Sequence, residues 1–208
     1  MKLYAFGDSF TSGSDFLDLD KTWPALLSNK LKCEHINLGR TGSSNEMILD
    51  TYLSNRSKID PEDITIIFLT YGLRYYKINN AQETRGIGPP TFGRPEVGGV
   101  TPSHDEYKNV MKLFSNTQLF SDIKTFPILL TLQNMTNKNT IIVSSDTKSI
   151  LSSCNRYGVK LQEIDKFYLW PKINLYRHIL LQGTAGHPSA EEQKILADLI
   201  LDFINKKK

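Results

Sequence analysis

The chain alternates short apolar, β-branched runs with longer amphipathic stretches, a pattern typical of βαβ units around a parallel sheet. Five strands are expected: Lys2–Phe6, His35–Leu38, Ile64–Thr70, Thr140–Ser144 and Gly158–Leu161. The third run is apolar almost throughout, as a central strand covered on both faces should be. The pattern therefore predicts an α/β fold with a five-stranded parallel sheet.

Amphipathic segments between and after these strands predict the helices. They are Thr22–Leu31, a helix from Ser43 or Ser44 to about Ser57, Ser103–Phe120, Ser121–Asn134, and a final helix after Pro188-Ser189. The fourth helix is expected to bend or break near Pro127. The final helix is expected to bury a stripe formed by Ile195, Leu199 and Phe203.

Residues 77–102 are rich in glycine and proline and have no sustained periodicity. A loop this long inside a domain is usually a functional lid or a disordered insertion. Arg85 and Arg94 lie within it, and Tyr75 and Tyr76 come just before it. These side chains predict a polar, aromatic-lined sugar cleft, with a disordered insertion or an oligomer contact as the alternatives.

The composition is that of one soluble globular domain spanning residues 1–208. The net charge is only +3, and the lysines are scattered, which argues against a nucleic-acid partner. Cys33 and Cys154 are expected to be free thiols. No apolar run is long enough to span a bilayer, and residues 1–6 are too short for a signal peptide. The expected location is therefore the cytoplasm, and the oligomeric state is left open.

The most informative motif follows the first strand directly. The sequence Gly7-Asp8-Ser9-Phe-Thr-Ser-Gly13 begins where an apolar run ends. Because ligands bind beyond the carboxyl ends of strands in open parallel sheets, a serine here is a candidate nucleophile. The alternative interpretation is an ordinary Gly-Asp-Ser turn.

This stretch resembles the first sequence block of the SGNH (GDSL-type) hydrolases, Gly-Asp-Ser-x-x-x-Gly. The resemblance implies a three-layer αβα sandwich of the flavodoxin-like kind. It also implies that Ser9 is the acyl nucleophile and that Asp8 belongs to the site.

Two further blocks of that family supply donors to the reaction oxyanion. Gly39, after the second strand, matches the glycine of one block, and the Asn45 side chain follows it. The other block is normally Gly-x-Asn-Asp, but here the chain reads Thr70-Tyr-Gly72-Leu-Arg74. The asparagine is absent, so Thr70, Arg74 or Asn45 is expected to supply the missing donor, and the alternative interpretation of Arg74 is an ordinary surface cation.

The last block contains the base. Gly186-His187-Pro188-Ser189 matches the family pattern just before the final helix, so the resemblance makes His187 the base. The family aspartate is expected at position 184 or 185, where this chain has Thr184 and Ala185.

Three explanations of the missing acid stay open. The chain is a Ser–His dyad enzyme, a pseudoenzyme that binds substrate without cleaving it, or a protein in which alanine has replaced an aspartate at position 185. The resemblance implies a serine esterase acting on small acyl esters, with carbohydrate O-acetyl groups as the expected substrates. A glycan-binding module and an O-acyltransferase are the alternatives. No metal or other cofactor is expected.

Overall fold

The computed structural model describes residues 1–13, 18–70, 75–78, 84–87, 117–144, 147–158, 167–169 and 188–207. Its strands are β1 (Lys2–Phe6), β2 (Glu34–Asn37), β3 (Ile64–Leu69), β4 (Tyr75–Ile78), β5 (Thr84–Ile87), β6 (Thr140–Ser144) and β7 (Phe167–Leu169). Its helices are α1 (Ser9–Ser12), α2 (Trp23–Leu31), α3 (Asn45–Asn55), α4 (Thr117–Met135), α5 (Thr147–Arg156) and α6 (Ala190–Lys207). Short 3₁₀ turns cover Leu19–Lys21 and Arg56–Lys58.

Five of the described strands form one parallel sheet in the order β2-β1-β3-β6-β7. Four of them are four to six residues long, and β7 is a three-residue strand at the edge. This order, in which β1 has β2 on one side and β3 on the other, is the flavodoxin-like one. The predicted α/β fold is confirmed.

Alternate side chains of β1, β3 and β6 enter two separate cores, as the period of a strand requires. Leu3 and Ala5 lie in a core that contains residues of α2 and α6. Tyr4 and Phe6 lie in a second core, with residues of α3, α4 and α5. The helices therefore cover both faces of the sheet, which gives three layers.

Two expectations about strands need correction. The fifth strand of the sheet is β7 rather than Gly158–Leu161: Gly158 lies in a turn, and 159–161 lie outside the described residues. Part of the predicted 77–102 loop is also regular, because β4 and β5 pair as an antiparallel hairpin. Hairpin pairing depends on backbone hydrogen bonds and needs no long periodic pattern. The remainder of that segment lies outside the described residues.

The predicted division between two helices at Phe120 and Ser121 is wrong, because α4 runs across it without a break. Helix α4 also continues through Pro127, so the predicted break there is absent, and the alternative, a bend at Pro127, stays a prediction. Ile128, Leu129 and Leu132, which follow Pro127, are buried in the second core, and this burial offsets the cost of the missing N–H. Residues 103–116 lie outside the described part.

In α6 the buried stripe is shifted by one residue from the predicted one. Leu196, Ile200 and Ile204 are buried, whereas Ile195 is exposed. Leu199 and Phe203 lie at the edge of the core. A shift of one residue rotates the buried face of a helix by about 100°.

None of the helices that the structure describes is both long and apolar enough to cross a bilayer. Cys33 and Cys154 are free thiols, as expected. Burial raises the pKa of both thiols.

Candidate active site

Ser9 lies at the carboxyl end of β1, in the first position of the four-residue helix α1. Asp8 caps this helix, because its Oδ1 accepts a hydrogen bond from the Phe10 N–H at 3.0 Å. The helix ends at Gly13, whose φ of +68° lies in the left-handed region that favours glycine. The Gly-Asp-Ser-x-x-x-Gly spacing is therefore that of one helical turn with a cap at each end, and this turn carries Ser9.

Asp8 also joins this turn to the end of β3. Its carboxylate is buried, and Oδ2 accepts a hydrogen bond of 2.7 Å from the Thr70 hydroxyl. Hydrogen bonds to a charged acceptor are among the stronger ones in proteins. The contact fixes the chain leaving β1 against the chain leaving β3.

Asn45 holds the same point of β3 from the other side. Its Oδ1 accepts from the Thr70 N–H at 2.8 Å, and its Nδ2 donates to the Thr70 carbonyl at 3.1 Å. A side-chain amide that pairs with both main-chain groups of one residue acts as a neighbouring strand would. The position of Thr70 is therefore set by its backbone as well as by its side chain.

The chain leaving β2 completes the cluster. Asn37 donates through Nδ2 to the Thr11 carbonyl at 2.8 Å and accepts from the Gly39 N–H at 3.0 Å. A Cβ at position 39 would lie only 2.5 Å from the Ser12 amide nitrogen. Gly39 therefore lets the loop after β2 lie directly against α1.

Five of the predicted site residues thus come together at one end of the sheet: Asp8, Ser9, Gly39, Asn45 and Thr70. They lie at or just after the carboxyl ends of β2, β1 and β3. The strand order changes direction at this point, because β1 has β2 on one side and β3 on the other. In open α/β folds this switch point is where ligands bind.

The oxyanion roles of these residues stay predictions. In the structure the Gly39 N–H donates to Asn37 and the Thr70 hydroxyl donates to Asp8. Asn45 has a second hydrogen on Nδ2 besides the one that it gives to Thr70. Of the three, Asn45 is therefore the one whose side chain has a donor hydrogen in addition to those that it uses among the described residues.

Gly72, Arg74, Thr184, Ala185 and His187 lie outside the described residues. The description resumes at Pro188, and Ser189 and Glu192 form a capping box at the start of α6. In it the Ser189 N–H donates to Glu192 Oε2 at 2.6 Å, and the Glu192 N–H donates to the Ser189 hydroxyl at 3.3 Å. No group of three or more His, Cys, Asp or Glu side chains suited to a metal ion occurs within the described ranges.

Two residues of this region, Asn37 and Gln193, were missed in the sequence. The Gln193 side chain is buried, and it contacts Phe10 and Trp23. Its spacing could have identified it. Gln193 comes three residues before Leu196 and seven before Ile200, so it lies on the buried face of the helix. Asn37, at the end of a short strand, gave no comparable signal.

The fold has counterparts among solved structures. The acetyl xylan esterase Est2A from the rumen bacterium Butyrivibrio proteoclasticus matches 99% of this chain with a TM-score of 0.57 and 14% identity. The psychrotrophic esterase EstA from Pseudoalteromonas matches 99% of this chain and 97% of its own, with a TM-score of 0.56 and 13% identity. A lipolytic G-D-S-L family protein from Veillonella parvula matches 97% of both chains, with a TM-score of 0.54 and 13% identity.

The chain spans 64% of the length of Est2A. At these identities the similarity establishes the fold alone, which is that of the GDSL lipolytic proteins and carbohydrate esterases. A search against models of protein families finds no match, and neither does a search against curated protein sequences.

Proposed function

We propose that this protein is a serine esterase of the SGNH type that hydrolyses small acyl esters, with O-acetyl groups of carbohydrates as its substrates. The position of Ser9 supports this proposal most strongly. It follows β1 at the switch point of the sheet, in a helical turn fixed by Asp8 and Gly13. The choice of substrate is supported by Est2A, because this protein of the same fold is an acetyl xylan esterase.

In this mechanism the Ser9 oxygen attacks the ester carbonyl carbon while His187 takes the hydroxyl proton. The tetrahedral intermediate expels the alcohol, to which His187 returns that proton, and Ser9 keeps the acyl group. Water, deprotonated by His187, then attacks the acyl-enzyme, the bond between Ser9 and the acyl group breaks to release the acid, and His187 returns the proton to the Ser9 oxygen. The Ser9 N–H and the second hydrogen on Asn45 Nδ2 are the proposed oxyanion donors. Gly39 joins them only if its N–H leaves Asn37.

The absent acid limits the rate of this reaction. Neither Thr184 nor Ala185 provides the carboxylate that holds the tautomer of the base in a triad. In serine proteases, replacing the triad aspartate lowers kcat by about 10⁴. We therefore expect slow turnover by a Ser–His dyad, and we expect Ala185→Asp to accelerate it.

A second function is a glycan-binding protein that does not cleave its ligand. It is favoured by the same missing carboxylate and by the engagement of the Gly39 and Thr70 donors with Asn37 and Asp8. Binding would then use the polar residues at the carboxyl ends of β1, β2 and β3, without an activated serine.

Labelling with a fluorophosphonate separates the two functions, because only an activated serine reacts. The enzyme proposal predicts labelling that Ser9→Ala and His187→Ala abolish. Ser28→Ala, which removes a buried hydroxyl that donates to the Ala25 carbonyl within α2, is the matched control and should label normally. Wild-type protein that binds xylo-oligosaccharides but leaves the reagent and acetylated xylan intact would establish the second function instead.

A further inference from the structure

Gln193 lies in the first turn of α6, and its side chain is 0% exposed. Its Nε2 donates to the Phe10 carbonyl at 3.1 Å, and its Oε1 accepts from the Trp23 N–H at 2.8 Å. One carboxamide thus contacts the residue after Ser9 and the first residue of α2. The contacts join parts of the chain that are 183 and 170 residues apart.

The Trp23 N–H is one of the donors at the start of α2 for which the helix itself provides no acceptor. Trp23 is the first residue of α2, and its N-cap residue Thr22 makes no side-chain capping bond. The Thr22 hydroxyl instead donates to the Leu19 carbonyl at 2.8 Å. Gln193 therefore acts as the cap of α2, from a different helix.

In the chain, the Phe10 carbonyl directly follows two carbonyls that accept hydrogen bonds within the turn of α1. The Asp8 carbonyl accepts from the Thr11 and Ser12 N–H groups, and the Ser9 carbonyl accepts from the Gly13 N–H. Gln193 contributes a donor to the following carbonyl. It therefore attaches the turn that carries Ser9 to the start of α6.

The orientation of the carboxamide is fixed by its partners. A carbonyl only accepts and a backbone N–H only donates, so the amide NH₂ must face Phe10 and the amide oxygen must face Trp23. An apolar side chain replaces neither contact. A glutamate retains the acceptor for Trp23 but, when ionised, places a second acceptor opposite the Phe10 carbonyl.

We propose that Gln193 is a positioning residue for Ser9: it fixes the turn that carries the nucleophile to the helix that directly follows His187 in the chain. The inference rests on the proposed function, in which Ser9 and His187 must meet. A displacement of about 1 Å between reacting groups lowers rates by up to about a hundredfold. Substitution of Gln193 should therefore slow chemistry at Ser9 even in a folded protein.

The test measures fluorophosphonate labelling as two constants, the affinity KI and the rate at saturation kinact. Gln193→Met is the main variant, because methionine is similar in length and compatible with a helix. Gln193→Glu is the second, for the case in which the first does not fold. The matched control is Tyr52→Phe, since the buried Tyr52 hydroxyl donates to the Met135 carbonyl at 3.1 Å, in the other core.

We expect Gln193→Met to lower kinact by about tenfold to a hundredfold with KI within about twofold of wild type. Tyr52→Phe should leave both constants unchanged even where it lowers the unfolding temperature. A folded Gln193→Met protein with wild-type kinact would overturn the proposal. So would an equal fall in the Tyr52→Phe protein.

Hydrogen exchange keeps the two proposals distinguishable. If wild-type Ser9 does not react at all, the proposed esterase function fails, and the positioning role is judged on the Ser12 and Gly13 amides. Their exchange should be at least about tenfold faster in Gln193→Met than in wild type. Exchange at the wild-type rate would refute the positioning role.

Discussion

Two buried threonines at the two ends of β3 allow one hydrogen bond of the site to be measured against a matched control. Thr70, just after the strand, donates to Asp8 Oδ2 at 2.7 Å. Thr65, near its start, is equally buried, but its hydroxyl has no hydrogen-bond partner among the described residues. Valine replaces either side chain with nearly the same shape and removes only the hydroxyl.

The two substitutions are expected to change the free energy of unfolding differently. A hydrogen bond to a charged group contributes about 1.5–3 kcal/mol, so Thr70→Val should destabilise the protein by about that amount. Thr65→Val removes an unpaired buried hydroxyl and should be neutral or stabilising by about 1 kcal/mol. The two variants should therefore differ by at least about 1.5 kcal/mol, a factor of more than 10 in the folding equilibrium.

Urea unfolding at neutral pH measures both values, with equal slopes confirming that the unfolding transition is the same. A double-mutant cycle identifies the partner: in an Asp8→Ala background, Thr70→Val should cost much less than it does in wild type. If the two valine variants agree within about 0.5 kcal/mol, or if the cycle shows no coupling, the role assigned to the Asp8–Thr70 contact is wrong.

Three further predictions concern the site, the last helix and the core. Gly39→Ala should lower the free energy of unfolding by about 1–3 kcal/mol in the same assay, because its Cβ would meet the backbone of α1. Glu192→Ala should cost about 1 kcal/mol through loss of the capping box, whereas Glu191→Ala, exposed in the same turn, should stay within about 0.5 kcal/mol of wild type in thermal unfolding. Burial raises the pKa of the Cys154 thiol above its ordinary value of 9.0, so the associated stability is complete below that pH and is lost as the pH rises through the folded value. Unfolding measured from about pH 8 to about pH 10 should therefore show a steeper fall for wild type than for Cys154→Ala, and parallel curves would contradict this assignment.

The fold could be predicted from the sequence wherever a segment has a regular pattern of buried apolar residues. Strands β1, β3 and β6 carry apolar runs, and the structure places them as predicted. Ser9 was accessible because its motif specifies a local turn. The break at Pro127 was wrong because a local rule was applied where tertiary burial decides the outcome.

The use of each donor could not be predicted, because it depends on which partner the fold brings near. Thr70 and Asn45 were identified as site residues, but nothing in the sequence indicates that they bind Asp8 and each other. Gln193 was missed for the same reason. Its two partners are among the most distant residues along the chain.

That distance has a consequence for folding. The turn of Ser9 is synthesised before α6, and its attachment through Gln193 spans 183 residues. Contacts with such separation form late, since the chain must first close a large loop. Every strand of the described sheet precedes α6 in the chain. We therefore expect a nascent chain to assemble its sheet first and to fix the turn of Ser9 only when α6 docks.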